Sequence, residues 1–170
     1  YGGDISWITP KDLSGYNRKF ISKGERSITE LGLQKSSAKL LPKGTVLFSS
    51  RAPIGYVAIA EQEVCTNQGF KSIVCNNEII NNNYIYYFLK FNKENIENVS
   101  SGSTFKEISG THMKNFKIIV PEKCILDNFN KLITSYDKLL NKNYKEIDNL
   151  TETKNILLLK LVDGKIILNN

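Results

Sequence analysis

Between Ile125 and Leu161 the chain contains neither glycine nor proline, and its apolar residues return every seven positions. One place in the repeat is held by Leu126, Ile133, Leu140, Ile147, Lys154 and Leu161, the other by Phe129, Tyr136, Asn143, Leu150 and Leu157. Five heptads in a single register predict a continuous helix with a coiled-coil seam. At 1.5 Å per residue such a helix is roughly 55 Å long. A rod of that length outreaches a small domain, so its seam calls for a second helix, from this molecule or another. Asn143 and Lys154 interrupt the seam; polar residues there cost stability and fix register and partner, while the other reading of Lys154 is a fraying seam. Asp163-Gly164 marks the end, with Gly164 suited to the left-handed position after a helix. Residues 122–163 therefore read as one long helix, and 164–170, which include KIIL, as a short C-terminal strand or tail.

The first 121 residues have a different texture and read as a small mixed α/β domain. Thr9-Pro10 in TPKDLSG is an N-cap and first-turn pair for a short helical turn. In SITELGLQKSS, Ser27 and Glu30 have capping-box spacing, which predicts a helix from Ser27 that Gly32 keeps short. GTVLFSS (44–50) and GYVAIAE (55–61) are β-rich runs, joined through Arg51-Ala52-Pro53-Ile54, and Pro53 belongs in the connection or at an edge. FKSIVC (70–75) and FKIIVP (116–121) are two further expected strands. NNNYIYYFLKFNKENIENV (81–99) predicts one helix, with Ile85, Phe88 and Leu89 on one face and the triple Asn as its N-cap. The fold class is thus α+β, a small mixed α/β domain followed by one long C-terminal coiled-coil helix.

The net charge is +6, and Lys11 to Arg51 alone holds nine basic and three acidic residues. A basic field concentrated in one segment of a domain suits a polyanionic partner. Chemistry is harder to find. No phosphate-binding glycine loop, dinucleotide fingerprint, zinc-protease helix or nucleophile elbow is present. His112 is the only histidine and is expected to face solvent or nucleic acid; Cys65, Cys75 and Cys124 have no metal spacing and read as reduced thiols. No metal site and no catalytic residue is expected. No uncharged apolar run is long enough to span a membrane. The chain begins without Met, which suggests a fragment, and a cytoplasmic location is expected.

SSGSTFKEIS (100–109) admits three readings: a nucleophile, a phosphate cradle, or a helix start. A serine nucleophile needs a base, and no partner for one is visible. Thr104 and Glu107 have capping-box spacing. The free N–H groups of such a turn, with Ser103, Thr104 and Lys106, would equally suit a DNA backbone, so cap and phosphate holder both stay open.

The order GGDISWITPKDL, SITELGLQKSSAKLLPKGTVLFSSRAPIGYVAIA, TNQGF, SGSTFKEIS, FKIIVPE and LLLKLVDGKI resembles the specificity (S) subunits of type I restriction-modification systems. The likeness runs over nearly the whole chain and is most specific from Ile28 to Ala60 and at the Gly-Ser-Thr-Phe turn. It implies a non-catalytic reader of double-stranded DNA, with 1–121 a target recognition domain and 122–163 a spacer helix. It also implies docking to methyltransferase (M) subunits, which use S-adenosylmethionine, and a restriction subunit as a further partner. Family members usually carry two recognition domains, so one domain would read half of a bipartite target, and pairing of two copies through antiparallel helices is a further expectation. Candidates for DNA contact are Arg18, Lys19, Lys23, Arg26, Lys35, Ser36, Lys39, Arg51, Asn67, Gln68 and Lys71, with Ser103, Thr104 and Lys106 as phosphate holders. Arg51 has a second role open to it, bracing the connection at Pro53. The rival reading is a coiled-coil protein-interaction module whose DNA affinity is incidental and without sequence preference.

Overall fold

A computed structural model describes residues 1–51, 53–100 and 106–165. The chain divides into two units, Tyr1–Leu126 and Asp127–Asn170. The first is built round the fully buried strand β4 (Val46–Ser50) and its antiparallel partner β5 (Ile54–Ala60). Side chains alternate across a strand, and here both faces are covered. Val46, Phe48 and Ile59 point into one core with Ile85, Tyr86, Leu89, Ile96 and Ile108. Leu47, Ala58 and Ala60 point into the other with Ile8, Leu13, Ile21, Val64 and Phe70. β2 (Phe20–Ile21) pairs in parallel with β5, giving the sheet order β2-β5-β4.

The second core is closed by a separate three-stranded sheet. β1 (Ile5–Ile8) lies at its centre, antiparallel to β3 (Arg26–Ile28) and parallel to β6 (Cys65–Thr66). The first core is closed by α2 (Asn82–Phe91) and α3 (Lys93–Asn98). α2 begins where the triple Asn suggests, with Asn81 Oδ1 accepting from the Tyr84 N–H at 2.9 Å.

Several sequence expectations are corrected. The helix expected over 81–99 is two helices that meet at Asn92, whose Nδ2 donates to the Phe88 carbonyl at 2.9 Å. Ser27 lies in β3 rather than capping a helix; the cap is Thr29, two residues later, whose Oγ1 accepts from the Gly32 N–H, and α1 runs Glu30–Gln34. FKSIVC follows β4 through isolated bridges only, Ser49 to Phe70 and Val46 to Ile73. FKIIVP forms no strand. Its residues are held by side chains of α2, with Phe116 against Phe88 at 5.9 Å and the Ile119 carbonyl accepting from Tyr84 Oη. α4 (Gly110–Asn115), capped by Ser109 Oγ from the His112 N–H, had no periodicity long enough to announce it. KIIL lies almost wholly outside the described residues, as does the Thr104 half of the expected capping box.

The long helix is α5 (Lys123–Val162), 40 residues, or roughly 60 Å. It ends as the sequence suggests. Gly164 has φ 67°, its N–H bonds to the Leu161 carbonyl, and the Lys165 N–H reaches back to Lys160. That pair of bonds is a Schellman cap, which satisfies carbonyls the helix leaves open. Along the seam, Tyr136, Leu140, Ile147, Leu150 and Leu157 are 58%, 38%, 53%, 63% and 46% exposed. Leu126 is buried and Phe129, Ile133 and Leu161 are half-buried, so the seam is exposed in part, chiefly from Tyr136 to Leu157. No described helix is long and apolar enough to cross a membrane.

Candidate nucleic-acid interface

β1 is the strand on which the candidate surface is organised. Its alternation buries Ser6 and Ile8 and leaves Trp7 half-buried on the other face. Trp7 stands opposite Arg26 on β3 and Cys65 on β6. One residue beyond β6 comes Asn67, whose Oδ1 accepts from the Gly69 N–H at 3.0 Å and closes the TNQGF turn. The Gly69 carbonyl then accepts from both Ser50 N and Ser50 Oγ, which fastens the turn to the end of β4 beside Arg51.

Two concavities meet at Trp7 and Asn67. One, of about 370 Å³, is lined by Thr9 to Asp12, Glu25, Arg26, Arg51 and Gly69 besides the shared pair. The other, of about 300 Å³, is lined by Ser36 to Lys39, Leu41, Thr66, Gln68, Phe70 and Ser72 with the same pair. Together they make one strip with a tryptophan at its centre and four cations (Lys11, Arg26, Lys39, Arg51) against two carboxylates. Its polar groups suit what nucleic acid offers. Cations neutralise phosphates, and Arg, Asn and Gln match the donor and acceptor edges of purines.

The wall of the first concavity is held by Asp12. Thr9 N–H and Oγ1–H both donate to Oδ2, at 2.7 and 2.6 Å, and the Glu25 N–H donates to Oδ1 at 2.6 Å. Burial works against the charged carboxylate, but the bonds from Thr9 and Glu25 outweigh it and hold Asp12 below the usual range. Lys11 donates to Glu25 Oε2 at 2.9 Å, a hydrogen bond and charge pair that likewise lowers the Glu25 carboxyl. Gly24 is needed beside them, since a Cβ there would collide with the Trp7 carbonyl oxygen. Asp12→Ala is expected to lower the unfolding free energy by about 1–2 kcal/mol at pH 7. A depressed folded pKa means this contribution is present above pH ~3.9 and lost as pH falls through the folded value. Urea unfolding of both proteins at pH 7 and pH 3 should therefore show the gap closing in acid.

The strip gathers Arg26, Ser36, Lys39, Arg51, Asn67 and Gln68 from the candidates named on sequence grounds. Lys71 joins through Glu107: Lys71 Nζ is 3.6 Å from Oε1 and Arg51 Nη1 is 3.8 Å from Oε2. Lys106 precedes Glu107 and is exposed. Arg18, Lys23 and Lys35 line neither concavity. Ser103 and Thr104 lie outside the described residues. Lys19 is a correction. It is 4% exposed, with its ammonium 5.0–5.3 Å from the ring centroids of Tyr87, Phe20 and Tyr86, so it faces aromatic rings rather than a phosphate. At the connection by Pro53, Ser49 Oγ donates to the Pro53 carbonyl and accepts from the Tyr56 N–H. Sequence reading missed Trp7 and Lys11. The alternation in ISWI, with its single tryptophan, was the available signal.

Residues 1–152 match the family described as type I restriction modification DNA specificity domain. Over 148 residues the chain is 41% identical to the type I restriction enzyme MjaIX specificity subunit of Methanocaldococcus jannaschii, covering 86% of this chain and 34% of that subunit. With the HindI specificity subunit of Haemophilus influenzae it shares 27% over 169 residues, 98% of this chain and 36% of the relative. The solved type I restriction-modification S subunit from M. genitalium has a TM-score of 0.65 at 18% identity, over 94% of this chain and 38% of that one, a likeness of fold. The chain spans about a third of the length of these relatives.

Proposed function

The chain belongs to the family of type I restriction modification DNA specificity domains, and on that premise we propose that its first unit reads one part of a bipartite sequence in double-stranded DNA. The observation that carries this reading is the strip itself. Six candidate residues scattered from Arg26 to Gln68 in the sequence converge on one concave surface round Trp7 and Asn67. Phosphate contacts from the cations would position the chain, and the Arg, Asn and Gln side chains would read base edges. Recognition is then the whole task of this chain. Methylation belongs to methyltransferase subunits that use S-adenosylmethionine and dock in part through α5, and cleavage to a restriction subunit. The exposed part of the seam, from Tyr136 to Leu157, supports a helical partner, either the corresponding helix of a second recognition unit or an antiparallel second copy.

The test is enrichment of bound duplexes from a randomised pool at near-physiological salt, with and without the methyltransferase subunit. A short enriched motif is expected, bipartite when the partner is present. No enrichment from folded, assembled protein would instead favour an interaction module with incidental DNA affinity.

A further inference from the structure

The strip contains one arrangement that phosphate binding does not explain. At the edge of the strip, Glu107 places a carboxylate between Arg51, which lines it, and Lys71, which does not, one oxygen toward each. For a surface built only to attract a polyanion, a carboxylate drawn up to Arg51 is a defect. It is also firmly placed. Glu107 bridges Arg51 in antiparallel fashion, and the next residue, Ile108, donates its N–H to the Ser50 carbonyl at 3.0 Å and is fully buried. β4 carries an irregular register between Phe48 and Ser50, just before Arg51, and such bulges re-aim the residues that follow them. Both ion-pair separations exceed hydrogen-bond length, so the carboxylate orients the two cations by charge while leaving the guanidinium fork able to donate elsewhere.

We propose that Glu107 is a positioning residue for specificity: it holds Arg51, with Lys71 beside it, for a base edge and lowers the strip's affinity for phosphates in general. The inference rests on the reading of the first unit as a DNA reader. Held by charge, Arg51 would present both donors of its fork to guanine O6 and N7, the pairing that discriminates between bases, where a phosphate contact carries no sequence information. Glu107 thus trades general affinity for discrimination.

The experiment compares the enriched motif with a scrambled duplex of equal length, titrated over a range of salt. Glu107→Gln removes the charge and keeps the shape. Its affinity for the scrambled duplex should rise about fivefold near 0.15 M salt, with a salt slope steeper by about one. The motif-to-scrambled ratio should fall roughly tenfold. Glu107→Asp, which keeps the charge, should recover part of that ratio. Arg51→Lys keeps the phosphate attraction but loses the fork, and should lower the ratio with little change for the scrambled duplex. An unchanged ratio in Glu107→Gln or Arg51→Lys overturns the proposal. So does equal weakening of both duplexes in step with a lower melting temperature, the signature of a merely structural role. A wild-type chain with no preference overturns the recognition reading and this inference with it; preference that survives Glu107→Gln overturns this inference alone.

Discussion

Simultaneous replacement of Arg26, Lys39 and Arg51 by alanine is expected to weaken binding to a duplex of scrambled sequence, where all three act on phosphates, by roughly two to three orders of magnitude near 0.15 M salt. Each cation that neutralises a phosphate contributes about 0.9 to the slope of log affinity against log salt. Three such losses should flatten that slope by about 2.7, and at 0.15 M they correspond to roughly 3 kcal/mol. The three residues come from β3, from the segment after α1 and from the end of β4, yet all line the strip. Arg26 and Lys39 are exposed, and the Arg51 side chain is 37% exposed, so their truncation should leave the two cores in place. Fluorescence titration at several salt concentrations, with circular dichroism as the folding control, gives both numbers. Unchanged affinity and slope would remove the strip as the interface. A fall in affinity without a change in slope would mean that the three cations do not act on phosphates.

The second large effect is expected at the other end of the chain. Ile147→Asp combined with Leu150→Asp should weaken helix association by roughly a thousandfold or more. Burying two large aliphatic side chains contributes about 3–6 kcal/mol together. An aspartate in their place would also have to lose its hydration in an apolar seam. Both residues are more than half exposed within the single chain, so the substitution removes nothing that this chain uses to fold. Sedimentation over a range of concentrations and co-purification with the methyltransferase subunit are the measurements. The unmodified chain should self-associate or bind its partner, and the double variant should do neither while its helical signal persists in the first unit. Assembly that survives the two aspartates would mean that the seam is not the contact.

Local chemistry explains which parts of the fold were legible. α5 and its glycine cap were, because a heptad repeat and a left-handed glycine are properties of consecutive residues. β4 and β5 were legible for the same reason, as apolar β-branched runs bounded by turn signals. The helix over 81–99 was misread at Asn92, a one-residue interruption between α2 and α3 that apolar spacing does not record. FKIIVP has the apolar, β-branched composition of a strand, but among the described residues it pairs with none, and Tyr84 and Phe88 take hold of it instead. β1, β2, β3 and β6 are two to four residues long, too short for any period to declare them.

The sequence by itself determined the class of the chain: a small α/β unit with a basic stretch, joined to a long helix whose seam asks for a partner. Only the tertiary structure decided which basic residues act together. Lys19 and Arg26 lie seven positions apart in the same basic stretch, yet one is buried under aromatic rings and the other lines the strip. Trp7 and Asn67 meet because β1 pairs in parallel with β6 across nearly sixty residues. Glu107 meets Arg51 through a single bridge to the end of β4. Helix periodicity arises from neighbours along the chain and can be read there. Sheet pairing between distant segments is chosen by the packing of the whole core, so no short stretch of sequence records it.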